Sequence, residues 1–188
     1  MIRALVFVAT LAILAACSAP PRSTGDEVQR LAAKIQSLGP DIDPAEAQRA
    51  ARVAYSYTAQ LVEEYEITDP PLIHNAKVNK GLRPRGLCWH WAEDIERRLK
   101  QEEFETLTLH RAIANADNPF RIDHSTAIIS RRGETMYEGI VLDPWRYGGV
   151  LYWGPLVEDT RYEWVPRDQV LEKRRLEQVA RLKTAGGG

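Results

Sequence analysis

The chain is poor in cysteine, with only Cys17 and Cys88 in 188 residues. So few cysteines exclude a disulfide-stapled scaffold, and the fold must rest on a packed core. There is no excess of one charge, since 25 Lys and Arg face 26 Asp and Glu. That near balance supplies no basic footprint for nucleic acid, which is not expected as a partner. No Cys/His cluster has zinc-site spacing, so the sequence calls for no metal and no cofactor. Beyond residue 14 no apolar run approaches bilayer-spanning length, and there is no internal repeat or low-complexity block.

What is present begins at the amino terminus. Arg3 precedes the apolar run Ala4 to Leu14 (ALVFVATLAIL), which is too short to span a bilayer as a stable helix and reads as the core of an export signal. The run ends in Leu14-Ala15-Ala16-Cys17, which resembles the lipobox of bacterial lipoproteins at all four positions. That resemblance implies cleavage before Cys17, lipid on its sulfur and an effectively permanent membrane anchor. Ser18 stands where inner-membrane retention requires aspartate, so the resemblance points to the outer membrane, with the domain facing the periplasm. The Pro/Ser-rich stretch Ser18 to Gly25 reads as a tether. The expected organisation is therefore a signal peptide over 1–16, lipidated Cys17 with its tether over 17–25, and a single domain over 26–184.

Within that domain, Asp26 caps a predicted helix to about Leu38, ended by Gly39-Pro40. Asp43-Pro44 opens a second helix to about Tyr65, with Val53, Tyr57, Leu61 and Tyr65 on one face. Leu72 to Arg85 shows no period and reads as a long loop. Cys88 to Gln101 is amphipathic, with Ala92, Ile95 and Leu99 on its apolar face. Strands are predicted over Phe104–Arg111, Ile122–Arg131 and Thr135–Leu142, with Arg132-Gly133-Glu134 as a hairpin turn. Two edge strands are expected near Leu151–Trp153 and Tyr162–Val165, before a charged helix from Pro166 to about Lys183. Helices followed by strands, without βαβ alternation, define an α+β class.

If Cys17 carries lipid, Cys88 is a lone thiol in a compartment where disulfides form, either a small buried hydrophobe or a reactive group. A helix start favours its thiolate, and the free N–H groups there can hold an oxyanion. His124 opens a predicted strand, and Asp143 ends the next one at Leu142-Asp143-Pro144-Trp145. Antiparallel neighbours would bring His124 and Asp143 together as a base and its orienting carboxylate. Glu138 is the alternative carboxylate, disfavoured because it lies nearer mid-strand. His90 lies about 200° around the helix from Cys88 and should point away, as a structural or surface residue. His74 and His110 show no partner pattern. Asn75 and Asn79 are candidate oxyanion donors, and Trp89 and Trp145, flanking two of the three residues, are candidate cleft walls.

Arg85-Gly86-Leu87-Cys88-Trp89, then His124, then Leu142-Asp143-Pro144-Trp145 resembles the transglutaminase-like superfamily of papain-like cysteine enzymes, over about Lys80 to Trp145. The resemblance implies a catalytic helix packed on an antiparallel sheet within an 80–165 core, preceded by helices over 26–71 and followed by a helix over 166–184. It implies Cys88 as nucleophile, His124 as base and Asp143 as orienter, acting on a peptide or protein substrate. Hydrolysis is favoured over transfer because water is the default acceptor and no lysine-binding cleft is evident. Two alternatives stand: cleavage of peptidoglycan stem peptides, and an inactive module presenting Trp153, Tyr162 and Trp164 to a protein partner.

Overall fold

The structure, a computed structural model, describes residues 25–185. The expected signal segment, Cys17 and the expected tether up to residue 24 lie outside the described residues, as does the membrane anchorage expected from them. Five α-helices are described: α1 (Gly25–Gln36), α2 (Pro44–Glu64), α3 (Pro71–Asn79), α4 (Cys88–Lys100) and α5 (Arg167–Ala185). Five strands, β1 (Leu107–Ala114), β2 (His124–Arg131), β3 (Ile140–Asp143), β4 (Tyr152–Pro155) and β5 (Trp164–Pro166), form one antiparallel sheet in the order β4-β3-β2-β1-β5. The class is α+β. No helix among the described residues is long and apolar enough to cross a membrane.

The sheet has two unequal faces. One packs Leu107, Ala127, Ile129, Ile140 and Leu142 against Leu31, Ile35, Leu61, Trp91, Ile95 and Leu99 of α1, α2 and α4. The other gathers Ala112, Ala114, Ile128 and Val141 with Trp164 of β5 under Met136, Leu156 and Tyr162 from short connecting segments. On α2 the buried face is largely alanine, with Ala47, Ala50, Ala51 and Ala54 beside Leu61, whereas Val53 and Tyr57 are only half buried. The expected Val53–Tyr57 stripe therefore borders the contact, and small side chains form its centre. At its start, the Asp43 carboxylate accepts from Ala45 N–H at 2.7 Å, the N-cap that its sequence announces.

Several element boundaries differ from expectation, each for a local reason. The supposed loop Leu72–Arg85 contains α3, whose apolar Leu72 and Ile73 face solvent, so no buried period marked it. The first strand starts at Leu107 because the buried Glu46 carboxylate takes the N–H groups of Glu105 (2.6 Å) and Thr106 (2.8 Å). Its far end extends to Ala114, where β5 pairs with Ala112, Ile113 and Ala114. The second strand starts at His124, since Ile122 O accepts from Asn115 and Asp123 O from Cys88. The third is split: Thr135 and Glu138 cap a 3₁₀ turn over Met136–Glu138, and only Ile140–Asp143 is strand.

Candidate active site

Cys88 is the first residue of α4, and the turn before it is fastened by side chains from three directions. Gly86 has φ +120°, a conformation that favours glycine, and a Cβ there would lie 2.4 Å from His74 Nε2. His74, buried on α3, donates through Nε2 to Arg85 O at 2.9 Å. The Trp91 indole donates to Gly86 O at 3.1 Å. His90 Nδ1 accepts from the N–H groups of Gly86 (3.1 Å) and Leu87 (3.2 Å), satisfying donors that a helix start leaves orphaned. Burial, then the nearby Arg85 charge, push the His90 pKa down to about 4, so the ring stays the neutral acceptor these bonds require. His90 is thus structural but buried, and His74, for which the sequence showed no partner pattern, holds the same turn. Arg85 is anchored to the buried Asp94 at 3.0 Å, and Asp94 also accepts from Tyr65 and Arg97.

The Cys88 thiol, 7% exposed, donates to Asp123 O at 3.4 Å. The backbone of Ser125 and that of Trp89 also lie close enough to favour negative charge on the sulfur. The thiol therefore sits against the main chain on both sides of His124. Against the expectation of a thiolate at a helix start, burial pushes the Cys88 pKa up to about 11, and the charges of Asp143 and Asp123 add to the rise. Desolvation outweighs the helix terminus here, because the loss of water penalises the anion over the whole side chain whereas two backbone groups compensate only part of it.

His124 and Asp143, each side chain 1% exposed, are joined by a 2.7 Å bond from Nε2 to Oδ2. In the register Ala127↔Leu142 and Ile128↔Val141, Asp143 lies one residue and His124 three residues past the paired segment, at the same end of the neighbouring antiparallel strands β2 and β3, as was expected. Since the carboxylate can only accept, Nε2 carries the proton and Nδ1 is the basic nitrogen. Nδ1 is buried and has no hydrogen-bond partner among the described residues. The rings of Tyr162 (4.5 Å between centroids), Trp145 (4.7 Å) and Trp164 (5.2 Å) surround the imidazole. Glu138 is elsewhere, accepting from Thr135 N and Oγ1 at an exposed turn.

Behind Asp143 lie groups that the sequence reading missed. Arg146 donates from its backbone N–H to Asp143 Oδ1 (3.1 Å) and from Nε to Oδ2 (3.0 Å), the oxygen that holds His124. Its other guanidinium nitrogens grip Asp159 in a two-pronged bond at 3.2 and 2.6 Å, and Trp164 Nε1 donates to the same carboxylate at 2.9 Å. The guanidinium stacks 3.7 Å from the Tyr152 ring centroid. An Arg three residues after a candidate orienter was visible in the sequence, but nothing there linked it to Asp159.

Trp145 is buried, its Nε1 donating to Asn75 Oδ1 at 3.0 Å, so the Asn75 carbonyl oxygen orients that ring. Asn79 is exposed, and Trp89, 46% exposed, packs at a tilt against His90 beside the turn. Tyr162 and Trp164 are buried around His124, so they offer no surface to a protein partner, and Trp153 is half buried with Nε1 bonded to Tyr55 at 2.8 Å. His110 pairs with Ser130 at 2.7 Å, remote from the site. No group of three metal-ligating side chains occurs among the described residues. Comparison with protein-family models, curated proteins and solved structures returns no match for this chain.

Proposed function

We propose that the domain is a thiol hydrolase of the papain/transglutaminase-like kind, held at the outer membrane by lipid on Cys17 and acting on amide bonds in a peptide or protein. One observation carries this reading: a lone thiol lies against the backbone on either side of a histidine whose far nitrogen is locked to a buried carboxylate. The resting sulfur is a thiol, so the base must act during attack rather than before it. Cys88 Sγ attacks the amide carbonyl carbon while His124 Nδ1 takes the thiol proton and Asp143 holds the resulting imidazolium. The carbonyl oxygen gains the negative charge, for which the N–H of Trp89 at the helix start is a donor. Collapse breaks the C–N bond, and His124 passes its proton to the leaving amine. Water, deprotonated by His124, then cleaves the thioester, releasing a carboxylic acid and restoring the thiol.

The test is alkylation of the full chain by iodoacetamide, with Cys88 distinguished from Cys17 by peptide mass, beside amide hydrolysis of denatured protein and of isolated sacculi. Cys88→Ala should abolish hydrolysis, and His124→Gln should slow both hydrolysis and Cys88 alkylation by on the order of a hundredfold or more. Release from sacculi alone would direct the activity to peptidoglycan stem peptides. Hydrolysis that survives in Cys88→Ala, or alkylation indifferent to His124→Gln, would overturn the proposal.

A further inference from the structure

The charged groups behind His124 alternate in sign along one buried line. His124 meets Asp143 at 2.7 Å, Asp143 meets Arg146 at 3.0 Å, and Arg146 meets Asp159 at 2.6 Å. The last three side chains are no more than 2% exposed, so water screens little of their interaction. With neutral imidazole the line carries one net negative charge, and with imidazolium it carries none. A single Asp–His pair would have the same balance, so Arg146 and Asp159 cancel in sum but not in position: Arg146 is the nearer to the imidazole.

We infer that Arg146 and Asp159 are opposed positioning residues that set how readily His124 accepts the thiol proton, Arg146 restraining it and Asp159 relieving that restraint. This rests on the thiol-hydrolase reading and names the control of its base. Arg146 draws on the very oxygen that would stabilise the imidazolium, sharing the charge of Asp143 between two cations. Asp159 takes up part of the Arg146 charge and, with the Tyr152 ring beneath it, fixes the guanidinium in plane. The remaining charged or titratable groups near the imidazole come from other elements. Cys88 is on α4, Tyr162 precedes β5 with Arg121 over its ring, and Asp123, next in the chain, is paired with Arg174 of α5. None of these touches the Asp143 carboxylate among the hydrogen bonds that hold it.

The experiment is NMR titration of the imidazoles in the full chain in detergent, with the His124 resonance identified by its loss in His124→Gln. Arg146→Gln should raise the His124 midpoint, and Asp159→Asn should lower it, each by about one pH unit, as expected for removing a buried charge a few ångströms away. Arg146→Lys, which keeps the charge but not the fork, should stay near wild type. A purely structural role would move both charge-removing variants the same way or neither, and that result overturns the inference. Should Arg146→Gln fail to fold, the isosteric Asp159→Asn carries the test, and an unshifted midpoint there is equally fatal. Alkylating Cys88 in the wild type separates the two readings: a His124 resonance that ignores alkylation overturns the thiol–base reading, whereas one that responds while the charge variants do not overturns the opposed pair alone.

Discussion

The turn that carries Cys88 and the strand ends that carry His124 and Asp143 meet at one point but are fastened differently. On the thiol side rings hold the main chain: His74, His90 and Trp91 reach backbone groups of residues 85–87, and the ion pairs of that turn, from Arg85 to Asp94 and Glu93, start three residues before the thiol. On the imidazole side the contacts are ionic, an Asp–Arg–Asp line enclosed by aromatic rings. The difference follows from what each side must hold. In the proposed reaction, a sulfur that stays protonated until attack needs a fixed place rather than a compensating charge. In the same proposed reaction, an imidazole that becomes a cation in a buried site needs a fixed anion, and a buried anion in turn needs partners for its remaining lone pairs.

The largest expected break is on the ionic side. Asp143→Ala would leave His124 and Arg146 without their shared acceptor in a site closed to water, at a cost of about 3–5 kcal/mol in urea unfolding. Little Cys88 reactivity should survive it. On the thiol side, Gly86→Ala should cost about 2–3 kcal/mol by the same assay, since a side chain at positive φ would press on the His74 ring. Its Cys88 should also alkylate at a changed rate, because the displaced turn ends at the thiol. A loss from Gly86→Ala equal to that from Asp143→Ala would erase the distinction drawn between the two sides.

The smallest effect sharpens the comparison through pH. His90→Asn should lose about 1–2 kcal/mol at pH 7, the worth of one or two backbone caps. The His90 pKa falls from 6.5 in the unfolded chain to about 4 in the fold, so below pH 6.5 the unfolded state binds a proton that the folded state refuses. The stabilising contribution is full above 6.5 and drains away as the pH falls toward 4. Urea unfolding at pH 7 and pH 4.5 should therefore show the advantage of wild type over His90→Asn shrinking to nothing or reversing at the lower pH. A gap that is constant or widens would mean that His90 is not the neutral cap.

The sequence went furthest where chemistry and local structure coincide. Cys88 stands at a helix start because a Pro/Gly-rich approach gives way there to an amphipathic period, and His124, two residues into the predicted strand, is the first residue of the observed one. Asp143 was separated from Glu138 by its place at a strand end, and the structure puts only Asp143 on the histidine. The α3 helix was hidden because it buries His74 while its leucine and isoleucine face outward, the reverse of the signal that periodicity detects. The first strand was misplaced by three residues because a glutamate 60 positions away captures its expected opening N–H groups.

The amino-acid order by itself determined the α+β class, the lone thiol at a helix start, and the succession of thiol, imidazole and carboxylate, because these depend on periodicity, capping and residue type over a few neighbouring positions. Only the tertiary structure decided the protonation of that thiol, the free nitrogen of that imidazole and the alternating charges behind it. Those properties come from burial and from partners brought together across the sheet, and desolvation and Coulomb attraction act through space rather than along the chain.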